Sequence, residues 1–556
     1  MMSKKVIVTV FSMFLFLLQA QVFAQTPADT VDVPSTDDQG YVGALSRFIL
    51  GDTTATGERN NINRVYRLKR GEVYLQDGKT YFDFPVKIIA DDDESTRPPV
   101  VAPYPLEDGS IPRITFYFYK DALVKNIYFY GIAPNGQRCS WDRPIIIGDS
   151  AKVTLDHCIT AGFRAAGIAN IGENSSLFAK DCIWRNVFDS REFGGQFFFN
   201  YGSYMDTISV VNCTVFFGSS YFLCNAREYA NYVRFEHNTL FINKINPFYT
   251  PYLSNADIKN NLFFAPASAG ETPSEREGGW YDWDNQRESV FSIDTIPSDM
   301  ATQHGITEAE RRIVFSNNAY FFPQKLKDYW DSIDTLYAPV FMNDRTTAMF
   351  NDDTNYPYLD ADNNIEADPG FDASILTLVD SLYDYVKALR EGGELRIYFY
   401  NPNNQPVFPP EWPLPETLTY SNQTLLTASS EGLPLGDLNW YPDKKAEWER
   451  LQTAIKHQDN PGVVKEFTLE QNYPNPFNPS TTIKFTLHKS GMVKLVVYDM
   501  LGREVKTLVN GKKMAGEYQV TWDGVDNSGK KVASGLYYYR LESKNFRQTR
   551  KMLMLK

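Results

Sequence analysis

Val153-Thr-Leu-Asp-His-Cys158, Leu177-Phe-Ala-Lys-Asp-Cys182, Ile208-Ser-Val-Val-Asn-Cys213, Val233-Arg-Phe-Glu-His-Asn238, Ala256-Asp-Ile-Lys-Asn-Asn261 and Ile313-Val-Phe-Ser-Asn-Asn318 repeat one pattern. Two apolar residues alternate, a polar residue follows, and Cys or Asn closes the unit. Ile127-Tyr-Phe-Tyr-Gly-Ile132 precedes the series, and successive Cys or Asn positions lie 24, 31, 25, 23 and then 57 residues apart. A short strand of period two that returns every twenty-odd residues cannot bury its apolar face alone, so it must stack on the next copy. The pattern predicts a solenoid of parallel strands. Equivalent side chains then stand about 4.8 Å apart, with Cys158, Cys182 and Cys213 in one column that Asn238, Asn261 and Asn318 continue. Stacked amides in such a column hydrogen-bond to one another.

Composition agrees with a β-rich chain. Aromatics make up 15% of the 556 residues, and 31 Pro and 34 Gly supply many turns. Lys4 and Lys5, the apolar run Val6 to Leu18, and the small residues Val22 and Ala24 before Gln25 predict a signal peptide over residues 1–24. No other stretch is long and apolar enough to span a bilayer, so no membrane span is expected in the mature chain. Loss of the two lysines takes the formal charge from -13 to -15, which argues against nucleic acid and anionic membrane partners. Five cysteines are too few, and odd in number, for a disulfide scaffold.

The repeat resembles the pectate-lyase-like superfamily of right-handed parallel β-helices over roughly residues 62–375. Gly71-Glu-Val-Tyr-Leu-Gln-Asp-Gly-Lys-Thr-Tyr81 resembles its first coil, and Asp368-Pro-Gly-Phe371 the element that follows the last coils. The resemblance implies that an extended polysaccharide is gripped on one strand face. A lyase on this fold needs a base and a cation that neutralises a uronate carboxylate. Period two places Asp156, Lys180, Val211, Glu236 and Lys259 outward in one column, with Arg234 on the same face and Arg185 after the next turn. The candidate assignments are Lys180 and Arg185 as catalytic groups, Arg234 and Lys259 as substrate contacts, and Asp156 with Glu236 as oxygen ligands of calcium. The same charges, alternating in sign, also pair across strands on a solvated face. The carboxylate clusters and Arg motifs of the known lyase and polygalacturonase families have no residue-by-residue match here. His157 and His237 read as locally satisfied turn residues. Asp360-x-Asp362-x-Asn364 also reads as a turn, because Ile365 stands where an EF-hand loop needs glycine.

Other features bear on binding. The stretch Phe188 to Phe222 carries more rings, Phe197 to Phe199 and Tyr201 among them, than inward strand positions need, and exposed rings stack on sugar faces. The 57-residue gap holds an insertion at about 266–311 that either shapes a binding face or is a plain surface loop. Residues 25–61 read as an N-terminal linker, and 376–460 as a capping region and linker. Leu378, Leu382, Tyr385 and Leu389 predict a helix over 374–391, and a second helix is expected over 443–457.

From Glu466 short alternating strands and Asn-Gly and Asp-Gly turns predict a small Ig-like β-sandwich. Gln471-Asn-Tyr-Pro-Asn-Pro-Phe-Asn-Pro479, Tyr498-Asp-Met-Leu-Gly-Arg-Glu-Val505, Trp522-Asp-Gly524 and Gly535-Leu-Tyr-Tyr-Tyr-Arg540 resemble the type IX secretion sorting domain over residues 466–556. That resemblance implies engagement of the type IX machinery and release from, or display on, the outer surface of a Gram-negative cell. Two functions follow as expectations: a secreted or surface-displayed β-helix that binds an extracellular polysaccharide, with or without cleaving it as a lyase, or a non-enzymatic surface or matrix adhesion protein.

Overall fold

The computed structural model describes residues 29–139, 143–187, 195–225, 228–278, 288–395, 400–458, 467–469, 472–487, 491–499, 503–514, 516–543 and 546–555. The expected signal peptide lies outside them. The chain divides into two compact units, one ending at Leu451 and the other beginning at Gln452.

The first unit is the expected parallel β-helix. Each coil contributes one strand to each of three sheets, for example Lys152–Asp156, Ile159–Ala161 and Ala166–Asn170. Among the described residues the first, second and third sheets hold eleven, ten and seven strands. The repeat copies are consecutive strands of the first sheet, in the register Val153↔Leu177↔Ile208↔Val233↔Ala256↔Ile313. These residues and Leu155, Ala179, Val210, Phe235, Ile258 and Phe315 face the solenoid interior and are buried.

The polar residue that ends each copy has a backbone cause. Asn126, His157, Asp181, Asn212, His237, Asn260, Asn317 and Asn363 all have positive φ, between 50° and 62°. They make the sharp turn from the first sheet to the second, and Asn, Asp and His tolerate this left-handed conformation best among non-glycine residues. The two histidines are turn residues, as the sequence suggests. The next residue points inward and forms the predicted column. Cys158 N–H donates to Cys182 Sγ at 3.4 Å and Cys182 N–H to Cys213 Sγ at 3.4 Å. Cys213 N–H then donates to Asn238 Oδ1 at 3.0 Å. Asn238, Asn261 and Asn318 each pass an Nδ2 hydrogen to the next rung at 3.0, 2.9 and 3.0 Å, ending on Asn364. The Asp360 to Asn364 segment is accordingly the last turn of the ladder.

The described residues 29–61 of the expected N-terminal linker include paired and packed elements. Thr30–Asp32 pairs in parallel with Val65–Arg67 and begins the first sheet, and the helix Ala44–Gly51 buries Ala44, Leu45 and Ile49 against the coil end. The helices Ala373–Glu391 and Pro442–Gln458 lie where the sequence places them. Leu378, Leu382 and Tyr385 of the first are buried in the solenoid core cluster, and Asp372 caps its N-terminus by accepting from Ser374 N–H at 2.9 Å. The segment between the helices is no loose linker. It covers the outer face of the second sheet: Tyr400 packs on Phe216, and Phe408, Trp412 and Leu414 on Tyr130 and its neighbours.

The second unit is a sandwich of a three-stranded and a four-stranded antiparallel sheet around Trp522, Tyr539, Leu495 and Ile483.

Candidate functional site

The outward column of the first sheet exists in the expected register, Asp156↔Lys180↔Val211↔Glu236↔Lys259. Its lysines and Glu236 are engaged in ion pairs. Asp156 and Glu236 stand three rungs apart, about 14 Å at ~4.8 Å per rung, so they cannot share a calcium ion. Each instead gathers with the adjacent histidine: Asp156, His157 and Asp181 in one cluster, Glu236, His237 and Glu431 in another. Ammonium and guanidinium groups already answer these carboxylates. Lys180 and Lys445 lie 3.2 and 2.9 Å from Asp181. Glu236 accepts from Arg234 Nε at 2.8 Å and lies 3.3 Å from Lys259. Mixed nitrogen and oxygen donors beside cations do not fit calcium, which takes six to eight oxygens.

Lys180 sits among carboxylates. Burial pulls its ammonium down, but the negative charges of Asp181, Glu449 and Asp156 outweigh that effect and hold it above the ordinary lysine value. Arg185 belongs to the second sheet, not to the face that carries Lys180. It is 4% exposed and donates two bonds to the Glu416 carboxylate, at 2.5 and 2.8 Å. Burial opposes its charge, yet Glu416 holds its pKa above the usual value. Arg234 is 2% exposed and consumed by Glu236, so it offers nothing to a ligand. Lys259 is held above its usual pKa: burial lowers it, and Glu236, Glu431 and Asp257 raise it further. The partners Glu416, Glu431 and Glu449 come from the covering segment and the helix after it, some 200 residues downstream. No local pattern announces them.

Two half-exposed rings, Tyr81 and Tyr201, stand at the third sheet. One outward row runs Tyr81↔Tyr117↔Ile146↔Ala169↔Phe199↔Cys224↔Tyr249 through all seven strands, about 29 Å at ~4.8 Å per rung. Rings gather at both ends of it. Tyr81 stacks on Tyr117 with centroids 4.6 Å apart, and Phe199 meets Tyr201 edge-on at 4.6 Å. Tyr221 stacks on Tyr249 at 4.9 Å. Tyr81 and Tyr201 are 50% and 51% exposed, unusual for large rings on a packed sheet. Between the two banks Ile146, Gly148 and Ala169 are buried, and a side chain at 148 would collide with the Tyr119 ring. A cation backs each bank: Lys79 Nζ lies 5.7 Å from the Tyr117 ring and the Arg143 guanidinium 5.0 Å from that of Tyr201. The sequence pointed to part of this face, since Phe199 and Tyr201 fall in the ring-rich stretch. Most of that stretch fills the core instead, including Phe197, Phe198, Phe216 and Phe222. Tyr81 and Tyr117 were missed, because only the fold brings them into one row with Phe199.

The described parts of the 266–311 insertion are packed rather than open. Ser289–Phe291 pairs with Val340–Met342, and Ile296 and Ile306 cluster with Tyr229.

Residues 477–546 match the FlgD Ig-like domain family. No curated protein matches the chain. Among solved structures, dimeric latent PorU from Porphyromonas gingivalis is 22% identical over 17% of this chain and 10% of that one, with a TM-score of 0.15. PorZ from the same organism, described as an essential surface component of the type-IX secretion system, is 20% identical over 17% of this chain and 13% of its own, at 0.13. FlgD from P. aeruginosa is 23% identical over 16% of this chain and 66% of its own, at 0.12. The chain thus spans only a small part of PorU and PorZ. Among the described residues no helix is long and apolar enough to cross a membrane.

Proposed function

We propose that this is an exported β-helix protein that binds an extended extracellular polysaccharide along the outer face of its third sheet. The observation that carries the reading is the pair of cation-backed ring clusters on that face, in which Tyr81 and Tyr201 are half exposed. Flat, amphipathic rings at fixed rungs match a chain of sugar faces. Export rests on the Lys4-Lys5 and apolar N-terminus and on the Pro-Asn-Pro-Phe-Asn-Pro tail. In this reading the Ig-like domain engages the type IX machinery and delivers the protein to the outer surface or medium of a Gram-negative cell.

The ion-paired state of Lys180 and Arg185 favours binding or adhesion over cleavage by those residues. The test is retention of the full-length chain on polysaccharide affinity gels. The Tyr81→Ala/Tyr201→Ala protein should bind about tenfold more weakly, since each ring contact contributes about 0.5–1.5 kcal/mol, with its melting temperature unchanged. Undiminished retention of that variant, with loss in Lys180→Ala, would move the site to the first sheet.

A further inference from the structure

Beneath the covering segment lies a donor group that its present partner does not satisfy. Arg185 presents Nε and Nη2 to the two oxygens of Glu416. Tyr128, fully buried on the same outer face, places its hydroxyl against the same guanidinium, which can only donate to it, and among the described residues the hydroxyl's own proton meets no acceptor. Arg97, close to Tyr128, likewise leaves Nε buried and without a hydrogen bond. A buried donor left unmet costs free energy that a third acceptor oxygen would recover. A carboxylate has only two oxygens.

The segment that brings Glu416 here is attached in an exchangeable way. Residues 406–419 include Pro406, Pro409, Pro410, Pro413 and Pro415, and among the described residues their main chain forms no hydrogen bond to another main-chain group. It is held by the Glu416 pair, by Tyr130 Oη donating to Val407 O at 2.5 Å, by Trp412 Nε1 donating to Glu94 O at 3.3 Å, and by apolar contact. Arg185, Tyr128 and Tyr130, by contrast, are fixed in paired strands. The receptor side is rigid and the occupant is a strap. A buried guanidinium cannot be left without an anion, so the strap stays until another anion replaces it.

We propose that the outer face of the second sheet around Arg185 and Tyr128 is a binding site for a tetrahedral oxyanion ester, a sulfate group on a glycan, and that Glu416 occupies it as an internal mimic. Three oxygens of the ester accept from Arg185 Nε, Arg185 Nη2 and the Tyr128 hydroxyl. The site is separate from the aromatic row and does not rest on it.

The test uses the full-length chain in the Tyr81→Ala/Tyr201→Ala background, which silences the aromatic row. Dextran sulfate, carboxymethyl dextran and inorganic sulfate are titrated while proteolysis within 400–416 is followed. Dextran sulfate should bind, be competed off by inorganic sulfate and speed cleavage of the strap, with carboxymethyl dextran about tenfold weaker. Glu416→Gln should tighten dextran sulfate binding about tenfold by removing the internal competitor. Tyr128→Phe should abolish the preference for sulfate over carboxylate. If Glu416→Gln lowers the melting temperature with no gain in affinity, the pair is a structural staple and the proposal falls. Should that variant fail to fold, equal dextran sulfate affinity in Tyr128→Phe and its parent overturns it, as does binding that inorganic sulfate cannot compete.

Discussion

Asn261 shows how much one side chain does in this fold. Its Oδ1 accepts from both Asn238 N–H and Asn238 Nδ2, while its own Nδ2 donates to Asn318 Oδ1 and Phe235 O. Asn261→Ala strands several buried groups at once and should destabilise the chain by about 1–3 kcal/mol in chemical denaturation. Cys182→Ala should cost less, because a thiol is a weak donor and acceptor. The ladder was legible in the sequence because its residue recurs at a fixed offset from the alternating strand. Charge at the cover behaves otherwise. Burial raises Asp437, bound to Thr214 and Asn439, to about 6. A folded value above the ordinary 3.8 means its contribution is fully present below 3.8 and lost as pH rises through 6. Asp437→Asn should therefore melt higher than the parent at pH 7, by about 1–3 kcal/mol, and equally at pH 4. Glu431 has the opposite sign: burial would raise it, but the His237 hydrogen bond and charge and the Lys259 charge bring it to about 2. Its contribution is present above 4.5 and lost as pH falls toward 2.

At the scale of elements, regular period decides what can be read in advance. The helix Ala373–Glu391 announces itself through Leu378, Leu382 and Tyr385, and the strands through Val153 and Leu155 or Val233 and Phe235. The strap does not: residues 406–419 have no period, and what they cover is set by Tyr130 and Arg185, more than 200 residues earlier in sequence. The same gap explains why the ion pairs of the candidate residues were not legible. Period two places Lys180, Glu236 and Lys259 outward correctly, but outward means solvent only when no later segment returns. Glu416, Glu431 and Glu449 do return, and they convert candidate ligand contacts into ion pairs. Leu382→Ala should cost about 2–5 kcal/mol, since Leu382 is 1% exposed in the core cluster. Asp372→Ala, which removes only the helix cap, should cost about 1 kcal/mol.

On the scale of the whole molecule, the three sheets have different fates. The second is covered by the chain's own segment, and the outward charges of the first are largely buried in pairs. The third keeps the rings of Tyr81 and Tyr201 half exposed. The proposed polysaccharide binding lies on the third sheet and the proposed export signal in the tail. Deletion of residues 466–556 should leave the protein in the periplasm of its native host, and its appearance in the medium would remove that role from the tail. The most direct test of the binding claim is hydrogen–deuterium exchange of the full-length chain with and without a polysaccharide it retains. Protection should concentrate in the strands Thr80–Phe82, Phe116–Phe118 and Gln196–Asn200. Protection confined to Ser175–Lys180 and Ala230–Glu236 of the first sheet would contradict the account.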